Sequence, residues 1–353
     1  MIKMNFKEFS KKYKSLIDKE IDQYLSNKKN EIKNANVQYL YLLIQEYVKG
    51  GKRLRPLSMI LSYLANGGKD IKKIVKLSMS VELLHSYTLI LDDIMDEDEY
   101  RRGVSTITKD LLVHYEANLK DKNNEYKGLL FSKKSIKFSV STAIMIGNIT
   151  RTLAFDIITN IDISLDFKVK IFKNFNRVDE LIYHGQFIDV WSEHVPINQE
   201  QYINMIKLKT GVLFELCFCT GAILADVNES IVESMKLIGQ NTAVAFQIQD
   251  DLIDINPDSK KFGSDIINGK KTLLYIKSKK SNKEIDKYYG LKDSSAVKKV
   301  VKIMNESNAV KECQKLSEYY SNNSKELIKN IDVEIVLKEI MLDFCNYVKN
   351  RTY

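Results

Sequence analysis

Proline is nearly absent from this 353-residue chain, with 3 residues, and glycine is sparse, with 14. So few breakers leave long stretches uninterrupted. Apolar residues recur along them at helical spacing, so an all-α fold is expected. Cysteine is equally scarce. Cys217, Cys219, Cys313 and Cys345 form no metal-binding spacing, which excludes a zinc module. They read as buried free thiols of a reducing compartment. The first residues, MIKMNFKEFSKKYK, are charged throughout and lack the apolar core of a secretory signal. The longest apolar segment, 211–225, contains Glu215 and is too short to span a membrane. A central buried helix and a cytoplasmic location are expected. An RNA-binding pattern of interleaved aromatic and basic residues is missing as well. The net charge of +8 is spread over dispersed lysines, which favours solubility and anions without implying nucleic acid.

A hydrophobic content of 44% is ample for a large core. A single domain over 1–353, with ten or more helices around a central cavity, is expected. Helices are predicted within 5–49, from Pro56 to Gly67, and over 70–98, 138–160, 165–193, 199–225 and 230–254. Residues 109–137 are lysine-rich and weakly patterned and read as a surface excursion. Residues 256–271 read as a loop, and 272–353 as a charged helical part with breaks near 290 and 305.

Two acid clusters of one shape stand out: Asp92-Asp93-Ile94-Met95-Asp96 and Asp250-Asp251-Leu252-Ile253-Asp254. Each follows an apolar helical stretch. Residues i and i+4 share a helix face, so Asp92 points with Asp96 and Asp250 with Asp254. Repelling acids on an apolar helix are costly unless a cation neutralises them. Carboxylates without a Cys/His pattern suit Mg²⁺, which is commonly shared between one or two carboxylates and a phosphate-bearing substrate. Basic groups recur at helix ends: Lys52 and Arg55, Arg101 and Arg102, Lys209, Lys260 and Lys261, Lys270 and Lys271. Arginine and lysine on the remaining phosphate oxygens would complete a diphosphate site.

With these motifs in order, the chain resembles the trans-isoprenyl diphosphate synthases, the polyprenyl synthetase family. The matching segments run from Gly50-Gly51-Lys52-Arg53-Leu54-Arg55-Pro56 and Glu82-Leu83-Leu84-His85, through the first acid motif, to Arg101-Arg102-Gly103. They continue with Gly185-Gln186-x-x-Asp189, Lys209-Thr210-Gly211, Phe246-Gln247-Ile248-Gln249-Asp250-Asp251, Gly263-Ser264-Asp265-Ile266 and Gly269-Lys270-Lys271-Thr272. The resemblance implies an isoprenoid-synthase-type helical bundle, a homodimer, and two substrates, isopentenyl diphosphate and an allylic diphosphate, held with three Mg²⁺ ions.

It also implies roles residue by residue. Asp92 and Asp96 bind two ions, Asp250 and Asp254 belong to the third, and Asp93 and Asp251 support them from behind. Arg101, Lys209 and Lys270 hold the allylic diphosphate, with Lys261 closing over it. Lys52, Arg55, His85 and Arg102 form the isopentenyl diphosphate pocket. Thr210 and Gln247 place oxygens near the developing allylic cation, and Gln186 and Asp189 line the same cavity. Tyr87, followed by the small Thr88, matches the arrangement that limits the product to C20, whereas two successive aromatics would suggest C15.

Four departures from the family pattern stand out: Ser105-Thr106 replaces Pro-Thr, the segment 109–137 is longer than expected, Gly147-Asn148 replaces Gly-Asp, and Lys260-Lys261 replaces Gly-Lys. The last leaves open which lysine meets phosphate, although the spacing to Lys270 favours Lys261. Rival readings are a class I terpene cyclase and a non-catalytic regulatory subunit. The first usually lacks the second acid motif and the Gly-Gly-Lys-x-x-Arg turn; the second would have lost metal-binding aspartates. Both motifs are intact here.

Overall fold

The computed structural model describes residues 4–101, 103–119, 124–259 and 262–349. Fifteen α-helices lie among them, with one two-residue-per-strand hairpin. The chain gathers into two compact units. One comprises Lys12–Leu57 and Ile71–Ser164; the other comprises Met1–Lys11, Ser58–Asp70 and Leu165–Tyr353.

In the first of these units, α4 (Ile71–Met95) packs along α6 (Lys134–Asn160), flanked by α2 (Ala35–Val48) and α5 (Ile107–His114). α4 is long and apolar enough to cross a membrane, but 78% of its most apolar window is buried inside the protein, so it is a core helix. The body of α1 (Phe6–Asn30) is tied to α6 by Tyr24, whose hydroxyl bonds Asp156 at 2.8 Å, and by Lys28, 3.0 Å from the same carboxylate. Between α4 and α5 the chain turns through a short antiparallel hairpin, β1 (Tyr100–Arg101) and β2 (Val104–Ser105). Thr106 caps α5 by accepting from Lys109 N.

The other unit is built on α10 (Glu229–Asp254), which packs against α9 (Val212–Leu224) and α14 (Ala309–Asn330). Gly239 permits the close approach of α9, because a Cβ there would lie 2.7 Å from Phe214 O. On the other side Ser317 Oγ donates to Ala245 O at 3.1 Å. α7 (Leu165–Ser192), α8 (Gln199–Ile206), α12 (Leu273–Ser281), α13 (Ser294–Glu306) and α15 (Ile335–Lys349) complete it. Phe344 of α15 packs its ring against Phe214, Phe218 and Phe6. All four cysteines are buried and free.

Four sequence expectations change. The helix predicted over 199–225 is interrupted: between α8 and α9, Lys207–Gly211 forms one turn of wider π-helix. The loop 256–271 contains the four-residue α11 (Ser264–Ile267). The segment 272–353 has the expected breaks and a further one after Asn330. The excursion 109–137 is only partly superficial. Leu111 and Tyr115 are buried in the core, and Asn124 holds the start of α6 by accepting from Ser135 N at 2.9 Å.

Candidate active site

The first acid motif closes α4. Asp92 and Asp96 are half-buried, one helical turn apart, while Asp93 is buried. Arg101, on the hairpin strand β1, reaches back over the motif. It pairs with Asp92 at 3.0 Å, with Asp98 at 3.5 Å, and with Asp93. Burial opposes the charge on Arg101, but the attraction of Asp93 and Asp92 outweighs it and holds the guanidinium well above its ordinary pKa. Asp93 also accepts the Tyr47 hydroxyl at 2.7 Å. Burial raises the Asp93 carboxyl against the opposing pull of Arg101 and Tyr47.

The turn before α3 (Leu54–Ala65) is wound by three left-handed conformations within four residues: Gly50 at φ 81°, Gly51 at φ 77° and Arg53 at φ 53°. Glycine adopts this region freely; for Arg53 it is strained and must be held. The holding is visible: Arg53 bonds Asp18 at 2.7 Å, Glu82 at 2.6 Å and Val48 O at 2.7 Å. With Arg53 pinned inward, Lys52 on one side is exposed, and Arg55 on the other meets His85 Nε2 at 3.0 Å. Tyr87 is buried, and the half-buried Thr88 donates to His85 O at 2.8 Å.

In the other unit the second motif closes α10. The π-turn presents Lys209 and Thr210, and the reason lies on α7. A Cβ on Gly185 would stand 2.3 Å from Lys209 N, so only glycine lets the two backbones meet. Lys209 Nζ then bonds Asp189 at 2.6 Å, and Lys270 lies 3.7 Å from Asp189 and 3.0 Å from Glu193. Lys270 follows Gly269, at φ 70°, and its carbonyl accepts the Tyr289 hydroxyl at 2.5 Å. Gln186 is half-buried beside Gly185.

Thr210 Oγ1 donates to Gln247 Oε1 at 3.0 Å, and Gln247 Nε2 donates to Asp251 at 3.2 Å. Asp251 also accepts the Tyr202 hydroxyl at 2.5 Å. Burial raises the Asp251 carboxyl, with Tyr202 and Gln247 pulling the other way. Asp250 is half-buried. Asp254 faces α11: it accepts from Ser264 N at 3.0 Å, Ser264 Oγ at 2.8 Å and Asp265 N at 3.3 Å. Its two oxygens thus brace the Gly263–Asp265 turn, a role that the acid pattern did not suggest. Arg102, Lys260 and Lys261 lie outside the described residues.

Sequence reading also passed over Arg53, Tyr47, Tyr202 and Glu193. Arg53 sits inside the basic turn and was within reach. The tyrosines carry no local signal, since each meets its acid across 46 or 49 residues.

Among the described residues no three His, Cys, Asp or Glu side chains converge as a metal cage. The donors are instead sparse carboxylate oxygens with lysines and arginines close by. That fits Mg²⁺ shared with a phosphorylated substrate better than a resident structural ion.

Known proteins resemble this chain over nearly its whole length. A geranylgeranyl pyrophosphate synthase of Geoglobus acetivorans is 30% identical, covering 93% of this chain and 97% of its own length. A solved structure of that archaeon's synthetase matches at TM-score 0.80 and 29% identity, covering 97% and 99% of the two chains. A geranylfarnesyl diphosphate synthase of Aeropyrum pernix is 28% identical over 95% of this chain and 99% of its own. A geranylgeranyl pyrophosphate synthase of Corynebacterium glutamicum, solved with isoprenyl diphosphate and magnesium, shares the fold at TM-score 0.87 and 21% identity, covering 96% and 99%. Residues 37–307 match the polyprenyl synthetase family model. With that span and a relative covering nearly its whole length, the chain belongs to the polyprenyl synthetase family.

Proposed function

We propose that this protein is a Mg²⁺-dependent prenyltransferase that condenses isopentenyl diphosphate with allylic diphosphates, head to tail and in trans. The observation that carries the reading is the pair of acid motifs, each with one acid turned inward and its neighbour, Asp92 or Asp250, half-buried at a helix end. Asp92, Asp96 and Asp250 would hold three Mg²⁺ ions, with Asp254 bracing the loop beside the third. When bound, the metal would neutralise the diphosphate leaving group so that the allylic C–O bond ionises.

Lys209 and Lys270, now paired with Asp189 and Glu193, would hold the allylic diphosphate. Lys52, Arg55 and His85 would hold isopentenyl diphosphate. Arg101, now paired with Asp92 and Asp93, would exchange a carboxylate for a phosphate oxygen of the allylic substrate. Thr210 and Gln247 would offer oxygen to the cation while apolar side chains exclude water. The isopentenyl double bond attacks that cation, and the proton then lost goes to the departing diphosphate. No Ser or Cys nucleophile is required.

The expected product is C20, geranylgeranyl diphosphate, with buried Tyr87 as the floor of the chain cavity and Thr88 beside it. A C25 product is the second reading, favoured by the Aeropyrum relative. A homodimer fits the exposed aromatic face of α7, where Phe187 and Trp191 stack at 5.9 Å and are 64% and 55% exposed. Four buried free thiols favour a reducing, cytoplasmic setting. Incubating the protein with Mg²⁺, isopentenyl diphosphate and each allylic primer, then sizing the dephosphorylated products, tests the reading. No condensation with any primer would overturn it.

A further inference from the structure

The inner aspartate of each acid motif receives a tyrosine hydroxyl from another helix. Tyr47 of α2 donates to Asp93 at 2.7 Å, beside the Arg101 guanidinium, and Tyr202 of α8 donates to Asp251 at 2.5 Å, beside the Gln247 amide. The two contacts arise in separate compact units and from unrelated helices, so shared packing does not explain the coincidence. Hydrophobic fit does not explain it either, because phenylalanine would fill the same space without the hydroxyl.

The need for such a donor follows from the motif itself. Two adjacent carboxylates at a helix end repel one another, and a buried carboxylate is costly unless its oxygens accept hydrogen bonds. The inner acid would therefore swing out beside its neighbour unless a donor fixes it. Held inward, it locks the rotation of the helix end and leaves only one of the adjacent pair, Asp92 or Asp250, outward. At Asp251 the lock reaches further. Tyr202 precedes the π-turn and Thr210 lies within it, and Thr210 reaches the same carboxylate through Gln247 at 3.0 and 3.2 Å. The turn that carries Lys209 is thereby fastened to the acid helix from both ends.

We propose that Tyr47 and Tyr202 are positioning residues: each holds the inner acid of its motif so that Asp92 and Asp250 are preset for metal and diphosphate. This rests on the metal-dependent reading above. Supporting residues of this kind typically change metal affinity or activity by about 10–100-fold when removed.

The test is Mn²⁺ binding with inorganic diphosphate, followed by electron paramagnetic resonance, on the full chain and on Tyr47→Phe, Tyr202→Phe and Tyr24→Phe. Tyr24 is the control, since it also donates to an aspartate, Asp156 at 2.8 Å, but outside either motif. Tyr47→Phe and Tyr202→Phe should each weaken Mn²⁺–diphosphate binding about tenfold or more, with Tyr24→Phe unchanged. Thermal melting in EDTA should fall no further for them than for the control. Equal binding by the wild type and both motif variants would overturn the assignment alone. A loss equal to that of Tyr24→Phe would reduce it to general stability, which also overturns it. A wild type that binds no Mn²⁺ with diphosphate would remove the metal reading and this assignment together. Tyr47 is half-buried, so its variant decides the question even if Tyr202→Phe fails to fold.

Discussion

Gly185 and Lys209 meet backbone to backbone: a methyl group on the first would fall 2.3 Å from the amide nitrogen of the second. No side-chain rotation relieves that contact, since the obstacle is main chain. Gly185→Ala should therefore push the π-turn away from α7 and cost about 1–3 kcal/mol, the range for overpacked cores. Because the displaced residue is Lys209, KM for the allylic diphosphate should rise several-fold. Gly147→Ala meets only side chains, Leu91 at 3.3 Å and Ile90 at 3.6 Å, and should cost less. Chemical denaturation of both variants checks the ranking.

Arg53→Ala should be among the most damaging substitutions outside the acid motifs. It leaves Glu82 buried without its cation and releases a left-handed turn. Breaking a buried pair from one side costs roughly 3–5 kcal/mol. KM for isopentenyl diphosphate should also rise, because Lys52 and Arg55 lose the anchor between them. A variant with wild-type stability would refute the role given to Arg53.

Asp92→Ala and Asp250→Ala should each lower turnover roughly a thousandfold or more while leaving helix content intact, since each removes a carboxylate that would neutralise the leaving group. Circular dichroism paired with single-turnover assays separates lost chemistry from lost fold.

Arg55→Ala should raise KM chiefly for isopentenyl diphosphate, and Lys209→Ala chiefly for the allylic substrate. Initial-rate measurements with each substrate varied in turn would expose a reversed assignment.

Tyr87→Ala should lengthen the product. Tyr87 is 1% exposed in the wall of the unit that carries the first acid motif, so truncation opens space rather than surface. Chromatography of dephosphorylated prenols should show species beyond C20. An unchanged distribution would place the length limit at another residue.

The helices were readable where periodicity and breakers agree, as at Gly50-Gly51 and Gly67-Gly68. The acid motifs were readable because their geometry is local, four residues apart on one helix. Lys207–Gly211 was not, because a run of Lys-Leu-Lys-Thr-Gly between apolar segments continues a helical pattern without a break. The contact that accompanies the wider turn, at Gly185, lies on another helix. Tyr47 and Tyr202 escaped for the same reason, since their meaning lies in partners that only the fold supplies. The segment 109–137 reads as a surface excursion on composition alone, but Asn124, by accepting from Ser135 N, holds the start of α6.

The buried cysteines have a practical consequence. Burial raises the thiols of Cys219 and Cys313 to about 12 and that of Cys345 to about 11. Near neutral pH only about one such thiol in several thousand, or fewer, is the reactive thiolate, and none of the four is open to reagent. The native chain is thus close to silent toward maleimides. A pair of cysteines introduced on exposed helix faces would carry fluorophores or spin labels without removal of the natural four, which makes the distance between them directly measurable.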